Sequence, residues 1–362
     1  MSDVSDVSVG DEAAVAALGT VPGVAPDLSP AGWLRDAWPD RGRRRLATAS
    51  LVAAVVLGLL GLASAAARWS PGAMGVAAGS APRSLPWSLP FGKGMWIWQP
   101  EHTEGGDANA IIARAKEVGL THLYVRTGSS WDGFYAGPFL DHILPAAHAA
   151  GIRVYGWDFP RLISPGDDVN RAVAAVDYRT PSRHRIDGFA ADIETRAEGT
   201  ALSAEAGTAY GNGLREALGE SFPLVAVVPR PSPWTKAIYP YPEVVARFDA
   251  VAPMVYWLDR EPGSDVAGAM ADLRPYGKPV FPVGQAYDGG PEGGRPGVPP
   301  RDELLRFFSV AYDTGADGVS FWSWQGADEQ AFASIRDAPE FRVRVPGSGT
   351  LNRSRLSRGR GL

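Results

Sequence analysis

The feature of this sequence that most constrains its fold is a regular alternation between short, β-rich apolar runs and longer amphipathic runs, from residue 94 to residue 340. This alternation predicts successive βα units and a parallel sheet. Eight runs are predicted to be strands, which is the strand number of a (β/α)8 or TIM barrel, and the stretch has the usual length of that fold, about 250 residues. The predicted strands are 95–98, 122–127, 153–158, 188–194, 224–229, 250–257, 280–285 and 318–324.

The runs between these strands have the amphipathic pattern of helices, as at 108–118, 141–150, 169–176, 204–218, 302–312 and 328–337. Gly119, Gly151 and Gly315 stand between a predicted helix and the next strand, which is the usual chemistry of a helix C-cap. A doubly wound open sheet is the alternative architecture. It is less favoured because the chain contains neither GxGxxG nor GxxxxGK[ST], the phosphate-binding sequences that many such folds carry.

Residues 46–67 form a run of 22 residues without a charge. As a helix this run would be about 33 Å long, enough to cross a bilayer core of roughly 30 Å. Four arginines lie at 41–45 directly before it, and only Arg68 follows closely. The positive-inside rule therefore predicts a transmembrane signal-anchor helix of a single-pass membrane protein, with a cytoplasmic N-terminus and an extracytoplasmic barrel. The alternative is a cleaved signal peptide and a secreted protein, because residues 63–65 are small residues of the kind that a signal peptidase prefers.

The remaining segments have compositions that do not favour a packed core. Residues 1–45 are predicted to be a disordered cytoplasmic tail, because the first 40 hold seven acidic residues and one arginine among mostly small residues. Residues 68–93 are rich in Pro, Ser, Gly and Ala and are predicted to be a linker. Residues 341–362 contain six arginines and no acidic residue. We interpret them as a disordered Arg-rich tail, either simply solvated or docked on an anionic cell-wall or lipid surface.

Charge and residue usage exclude several classes of function. The net charge of −5 gives no overall basic field for binding nucleic acid. The chain has no cysteine, which excludes disulfides, thiolate metal sites and a cysteine nucleophile. Its five histidines include no HxH or HExxH pair, so the sequence predicts no histidine-ligated metal and no cofactor.

In a TIM barrel the reacting groups lie at the carboxyl ends of the strands, and in this chain those ends carry aromatic, amide and charged side chains. Sugar rings present apolar C–H faces and polar edges, so this mixture predicts a carbohydrate site. The predicted substrate-binding residues are Trp98, Arg126, Trp157, Asp158, Arg230, Tyr256, Trp257, Gln285, Tyr287, Asp288 and Trp324. For Arg126 and Arg230, neutralisation of nearby acidic residues is an equal alternative.

The fourth predicted strand ends in the most specific motif of the chain, DGFAADIE at 187–194. Side chains alternate along a strand, so Asp192 and Glu194 are expected on the same side. Two carboxyl groups this close cannot both ionise freely, and one is then held in the neutral form that a general acid needs near neutral pH. The pair is therefore the predicted catalytic site. The alternative is that the two acidic residues only end the strand and are either solvated or paired with an arginine.

This motif resembles the DGxDxDxE sequence of the chitinase-like glycosidases of glycoside hydrolase family 18, including its initial Asp-Gly. The resemblance covers residues 94–340. It implies that Glu194 is the general acid that protonates the glycosidic oxygen, and that Asp192 orients the 2-acetamido group of the substrate as an internal nucleophile. Met254 and Tyr256 are similar to the family's sixth-strand MxY, and Trp324 is similar to its tryptophan under the sugar.

Two positions depart from that family pattern. The first aspartate of the motif is Ala190, and the acidic position after the sixth-strand tyrosine is Trp257. An ordinary retaining glycosidase would need a second carboxylate about 5 to 5.5 Å from the acid, commonly from the seventh strand. The seventh predicted strand has no glutamate, and Asp288 is its nearest acid. An inverting pair would combine Glu194 with Asp158 or Asp288.

The sequence thus predicts a membrane-anchored, extracytoplasmic glycoside hydrolase acting on glycans that contain N-acetylhexosamine, such as cell-wall or chitin-like polymers. Because Ala190 and Trp257 replace polar residues, a lectin-like barrel that binds glycan without cleaving it is the alternative. A third hypothesis is a structural membrane protein whose tails recruit partners.

Overall fold

The computed structural model describes residues 89–341, which form a closed barrel of eight parallel strands. The predicted (β/α)8 architecture is confirmed. A separate antiparallel hairpin, β3 Gly128–Ser129 and β4 Gly133–Phe134, follows the second barrel strand. The barrel strands are β1 Gly92–Ile97, β2 His122–Arg126, β5 Arg153–Asp158, β6 Gly188–Asp192, β7 Leu224–Pro229, β8 Ala250–Val255, β9 Val283–Gln285 and β10 Gly318–Trp322.

The barrel closes between its first and last strands, where Gly92 pairs with Gly318 and Met95 with Phe321. Around the rest of the ring, each barrel strand pairs with the next one along the chain. The fourth barrel strand, β6, lies between β5 and β7. The first strand begins at Gly92, inside the segment that the sequence analysis assigned to the linker.

Helices surround the barrel and cover its outer face. The described residues contain helices α1 Ala108–Val118, α2 Gly137–Ala149, α3 Pro165–Asp177, α4 Ala204–Leu218, α5 Pro233–Ile238, α6 Tyr241–Val245, α7 Pro262–Leu273, α8 Arg301–Asp313 and α9 Glu329–Asp337. The carboxylate of Asp107 caps α1 by accepting hydrogen bonds from two backbone amides of its first turn. Gly119 ends that helix with φ of 75°, a left-handed conformation that glycine adopts without steric cost.

The strand pleat separates two apolar layers. In β6, Phe189 and Ala191 face the helices and belong to the large outer core, whereas Ala190 lies in a second cluster inside the barrel. The inner cluster is rich in aromatic rings, including Trp96 and Trp157. The barrel interior is therefore packed, as in other barrels of this kind.

The predicted signal-anchor helix at 46–67, the tail at 1–45 and all but the first residue of the tail at 341–362 lie outside the described residues. Between residues 89 and 341, none of the helices combines the length and the apolar character needed to cross a bilayer.

Candidate functional site

The centre of the candidate site is the end of β6. Asp192 is the last residue of the strand, and the chain stays extended for one more residue because the amide of Ile193 donates a hydrogen bond of 3.0 Å to the carbonyl oxygen of Val227. The hydroxyl of Tyr239 donates a hydrogen bond of 2.7 Å to the carbonyl oxygen of Ile193. This backbone segment is thus fixed on both sides, and it directs Asp192 and Glu194 to the same side of the chain, as predicted.

The two carboxyl groups line one small cavity at the top of the barrel interior. Asp192 is 4% and Glu194 is 5% exposed. The other lining residues are Trp96, Val227, Met254, Tyr256 and Trp322. The cavity volume is about 10 Å³, which is room for about one water molecule. A sugar ring would therefore have to lie on the solvent side of this cavity or displace one of its walls.

Burial controls the protonation of both acids. It raises the pKa of Asp192 to about 8; the charge of Arg126 opposes this shift, and the charges of Asp158 and Glu198 add to it. Burial also raises the pKa of Glu194 well above its ordinary value, and the neighbouring charge of Asp192 raises it further. Near neutral pH, Glu194 therefore keeps the proton that a general acid must donate.

One tyrosine lines the cavity of the acids, and a second packs against it. Tyr256 lines the cavity with Glu194, and its ring packs edge to face against that of Tyr287 at a centroid distance of 5.5 Å. Burial raises the pKa of the Tyr256 hydroxyl well above its usual range. Tyr256 is therefore a neutral phenol, and its hydroxyl can donate a hydrogen bond to a developing negative charge.

The inner wall of the site is aromatic. The ring of Trp96 stacks on that of Tyr124 at 3.9 Å, and its Nε1 donates a hydrogen bond of 2.9 Å to Oγ of Ser320. The rings of Trp157 and Trp322 meet edge to face at 5.4 Å. Because each ring is held by another ring or a hydrogen bond, these aromatic faces have fixed positions.

Several predicted substrate-binding residues belong to this region. Trp98, Trp157 and Tyr287 lie in the inner cluster, and Tyr256 packs against that cluster. The guanidinium of Arg126 lies 5.6 Å from the centre of the Trp157 ring. The fold thus gathers these five side chains at the carboxyl ends of the strands.

Two predicted aromatic residues face the helices instead. The ring of Trp257 stacks on Phe307 at 5.5 Å, and its Nε1 donates a hydrogen bond to Glu303. Trp324 meets Phe332 edge to face at 5.4 Å. Neither ring lines the cavity that holds Asp192 and Glu194. Trp257 continues the outward-facing series of Val251 and Val255, and Trp324 lies in a 3₁₀ turn beyond the last strand.

Three predicted polar residues are engaged in contacts that build the loops and helices. Asp158 accepts a hydrogen bond of 2.6 Å from Nε of Arg171. The Gln285 side chain accepts a hydrogen bond from the amide of Leu258 and donates one to the carbonyl oxygen of Tyr287. Oδ1 of Asp288 accepts hydrogen bonds from the amides of two loop glycines at 290 and 297.

Arg230 lies 3.4 Å from Asp265, so it neutralises an acid at the start of α7 and not one of the β6 pair. The alternative role, contact with the substrate, stays a prediction for this arginine.

Trp96 and Trp322 line the cavity with the acids, and the charges of Glu198 and Glu292 raise the pKa of Glu194, although the sequence analysis selected none of these four residues. Trp322 stands two residues after Ser320, whose hydroxyl accepts a hydrogen bond from Trp96 inside the barrel. The alternation of side chains along a strand therefore predicts that Trp322 also faces the interior. Glu198 and Glu292 lie on loops, and nothing in their spacing points to the site. Among residues 89–341, no cluster of three or more His, Asp or Glu side chains could hold a metal ion.

Comparison with known proteins identifies the fold. No protein-family profile matches this sequence, and no curated protein is significantly similar to it. Similar solved structures include an endo-1,4-β-mannanase from Rhizomucor miehei, with 9% identity over 68% of this chain and 92% of that chain and a TM-score of 0.54.

Two further structures have a TM-score of 0.50. The C-terminal domain of a putative chitinase from Desulfitobacterium hafniense is 13% identical over 68% of this chain and 99% of that one. A xylanase and α-amylase inhibitor protein from Scadoxus multiflorus is 14% identical over 69% and 99%. At these identities the likeness establishes the fold alone, and at that level the resemblance to chitinase-like TIM barrels is confirmed.

Proposed function

We propose that this protein is a glycoside hydrolase in which Glu194 is the general acid and Asp192 is its partner. The observation that carries the proposal is the pair of buried carboxyl groups at the end of the fourth barrel strand, which burial keeps protonated near neutral pH. They share one cavity with the phenol of Tyr256 and two tryptophan rings. A proton donor beside aromatic faces is what cleavage of a glycosidic bond requires.

The proposed substrate is a glycan that contains N-acetylhexosamine. Glu194 gives its proton to the glycosidic oxygen as the bond to the anomeric carbon breaks, and the carbonyl oxygen of the substrate's own acetamido group bonds to that carbon. Asp192 orients the acetamido group, and the hydroxyl of Tyr256 donates a hydrogen bond to it. Water then attacks the anomeric carbon, the bond to the acetamido oxygen breaks, and the Glu194 carboxylate takes the proton of the water.

Asp158 and Asp288, the other acids considered for catalysis, are already held by contacts of their own. This favours a nucleophile that the substrate itself supplies. A retaining or inverting mechanism with two protein carboxylates would use Asp158 or Asp288, the acids predicted for that role. Asp158 forms a buried ion pair with Arg171, and Asp288 binds two backbone amides of its own loop. Releasing either carboxylate for catalysis would leave those partners unsatisfied.

The location of the protein is part of the proposal. The run at 46–67 is expected to be a signal anchor that holds the barrel outside the cytoplasmic membrane, where a cell-wall glycan would be its substrate. Mature N-terminal sequencing would distinguish this anchor from a cleaved signal peptide.

The test compares the full-length protein with its Glu194→Gln variant on chitooligosaccharides and peptidoglycan, with mass spectrometry of the products. Removal of a general acid is expected to lower kcat by about 10²–10⁴-fold while glycan binding is kept. Glu216→Gln is the matched control, because Glu216 is exposed on α4. Turnover that is unchanged in the Glu194 variant would refute the assignment.

A second candidate function is glycan binding without cleavage. It is favoured by Ala190, a buried methyl group inside the barrel where the resembling family carries a carboxylate. The structurally similar protein from Scadoxus multiflorus is described as an inhibitor of xylanase and α-amylase. Binding of chitooligosaccharides by the wild type with no product from any glycan would establish this function.

A further inference from the structure

Three exposed apolar side chains lie at the barrel mouth, in the loops that follow two neighbouring strands. Trp131 lies in the turn between β3 and β4 and is 62% exposed, Tyr135 directly follows β4, and Ile163 lies in the loop after the third barrel strand. The two strands, β2 and β5, pair with each other. Exposed apolar groups gathered in one region mark an interaction surface, and this one is at the end of the barrel that holds the candidate acids.

The turn that carries Trp131 is fixed by the hydroxyl of Ser129. This hydroxyl donates a hydrogen bond of 2.8 Å to Oδ2 of Asp132. It accepts hydrogen bonds from the amide of Trp131 at 3.3 Å and from the amide of Asp132 at 3.0 Å. The backbone under the exposed ring therefore has a defined shape, so little conformational entropy would be lost when a ligand packs on the ring.

Arg161 connects the exposed ring to the aromatic wall of the candidate site. Its Cζ lies 5.2 Å from the ring centre of Trp131 and 6.0 Å from that of Phe159. Phe159 belongs to the inner aromatic cluster together with Trp157. The ring of Trp157 meets that of Trp322, which lines the cavity of the two acids.

The loop of Arg161 is also joined to the loop that follows Glu194. The amide of Ala201 donates a hydrogen bond of 2.7 Å to the carbonyl oxygen of Arg161. A Cβ at Gly199 would stand 3.1 Å from Nη2 of Arg161, so the guanidinium lies against the backbone of that loop. The surface around Trp131 and Arg161 is therefore continuous with the candidate site through contacts on two sides.

The charge of Arg161 is available to a ligand. The side chain is half-buried, and within residues 89–341 it forms no ion pair with an acidic residue. Two acids of the same region are engaged elsewhere, because Asp132 binds Ser129 and Asp168 pairs with Arg171. A guanidinium stays ionised, and its N–H groups match the geometry of a carboxylate.

We propose that Trp131 and Arg161 form an outer subsite of the glycan site and that this subsite takes a sugar that bears a carboxylate. The apolar C–H face of the sugar ring packs on the indole of Trp131, and the guanidinium of Arg161 donates hydrogen bonds to the carboxylate. The inference rests on the proposed function and deepens it, because it names the class of glycan: an acidic polymer, not a neutral one.

The experiment measures the affinity of the full-length chain for three hexasaccharides by isothermal titration calorimetry. Glu194→Gln is the parent protein, so that no probe is cleaved during the measurement. The probes are chitohexaose, the peptide-free glycan strand of peptidoglycan, in which every second sugar carries a lactyl carboxylate, and the same strand with its carboxylates converted to methylamides. The parent is expected to bind the acidic strand about tenfold more tightly than the methylamide, and added salt should reduce this preference.

Two variants of this parent separate the ring from the charge. Arg161→Gln is expected to abolish the preference for the acidic strand and to change the Kd for chitohexaose by less than about twofold. Trp131→Ala is expected to raise the Kd for all three probes by roughly 3–10-fold, because it removes the ring on which the sugar packs. Because Trp131 is exposed, this variant is expected to fold.

The matched controls remove the same groups elsewhere. Trp234 is 57% exposed on α5, and Arg185 is exposed before β6, at the opposite end of the barrel. Trp234→Ala and Arg185→Gln are expected to leave all three affinities unchanged. Equal binding of the acidic strand and its methylamide by the parent would overturn the inference. So would an unchanged Kd in Trp131→Ala, an equal loss in either control, or no binding of any probe.

The outcomes also separate this inference from the proposed function. If the acidic strand binds as expected and the protein with Glu194 intact does not cleave it, the proposed function fails and the subsite stands. If the strand is cleaved and neither Trp131→Ala nor Arg161→Gln raises its KM, the subsite fails and the proposed function stands.

Discussion

Replacing Asp192 by asparagine is expected to stabilise the folded barrel at neutral and alkaline pH. Asp192 is 4% exposed, and burial raises its pKa from the ordinary value of 3.8 to about 8 against the opposing charge of Arg126. At pH 7 the folded protein therefore holds a proton that the unfolded chain has released. The wild type therefore loses stability by keeping this carboxyl group protonated in the folded state, whereas an asparagine side chain is neutral in both states.

The size of the effect follows from proton linkage. Because the pKa in the folded state is raised, stability is lost as the pH rises above the unfolded value of 3.8, until it reaches the folded value of about 8. The loss is about 1.4 kcal/mol per pH unit and thus roughly 4 kcal/mol at pH 7. The buried asparagine amide must find new partners at a cost of about 1–3 kcal/mol, so the expected net gain is about 1–3 kcal/mol.

Denaturant unfolding of the full-length wild type and of Asp192→Asn, at several pH values between about 4 and about 8, measures this gain. The difference in the free energy of unfolding should grow steadily with pH, whereas Glu216→Gln should show no such trend. A variant that is less stable than the wild type at the upper pH, or a difference that does not change with pH, would refute the reasoning. The same variant should lose glycan turnover. Asp192 would then be a residue that supports activity but lowers the stability of the fold.

Three further substitutions test other parts of the molecule. Arg171→Met should lower the free energy of unfolding by about 3–5 kcal/mol in denaturant unfolding, because it leaves two buried carboxylates, Asp158 and Asp168, without their cation; no loss would contradict the role of that network. Burial and then the charge of His148 lower the pKa of His184, so the folded protein binds fewer protons there and stability should fall as the pH drops below 6.5; His184→Gln should flatten this acid limb of the unfolding profile, and an unaltered limb would exclude it. Tyr256→Phe should lower kcat by about 10²-fold with little change in KM, and equal effects on both constants would point to ground-state binding instead.

The architecture could be predicted because the signals that specify it are local. The apolar runs of each barrel strand and the helix boundaries at Ala108–Val118 and Ala204–Leu218 follow from spacing and cap residues close in the chain. The alternation rule also placed Asp192 and Glu194 on one side, and the structure brings them into one cavity. These inferences need no knowledge of which segments meet in space.

The same rule fails at Trp324, and the reason is the backbone. Beyond β6 the amide of Ile193 still pairs with the neighbouring strand, so the alternation continues through Glu194. Beyond β10 the chain enters a 3₁₀ turn at Trp324, so Trp324 packs against the helices although it stands two residues after the inward-facing Trp322. Trp257 obeys the rule, because it continues the outward-facing series of Val251 and Val255.

The choice between the acids of the seventh-strand loop could not be made from position along the chain. Asp288 is nearer to the strand, but its side chain is short and two glycines follow it, and such an aspartate usually binds the amides of its own turn. It does so at Gly290 and Gly297. Glu292 is four residues farther on and has a longer side chain, and the turn that Asp288 stabilises brings it back to Tyr287. The nearer acid thus builds the loop, and the loop brings the farther acid to the hydroxyl of Tyr287.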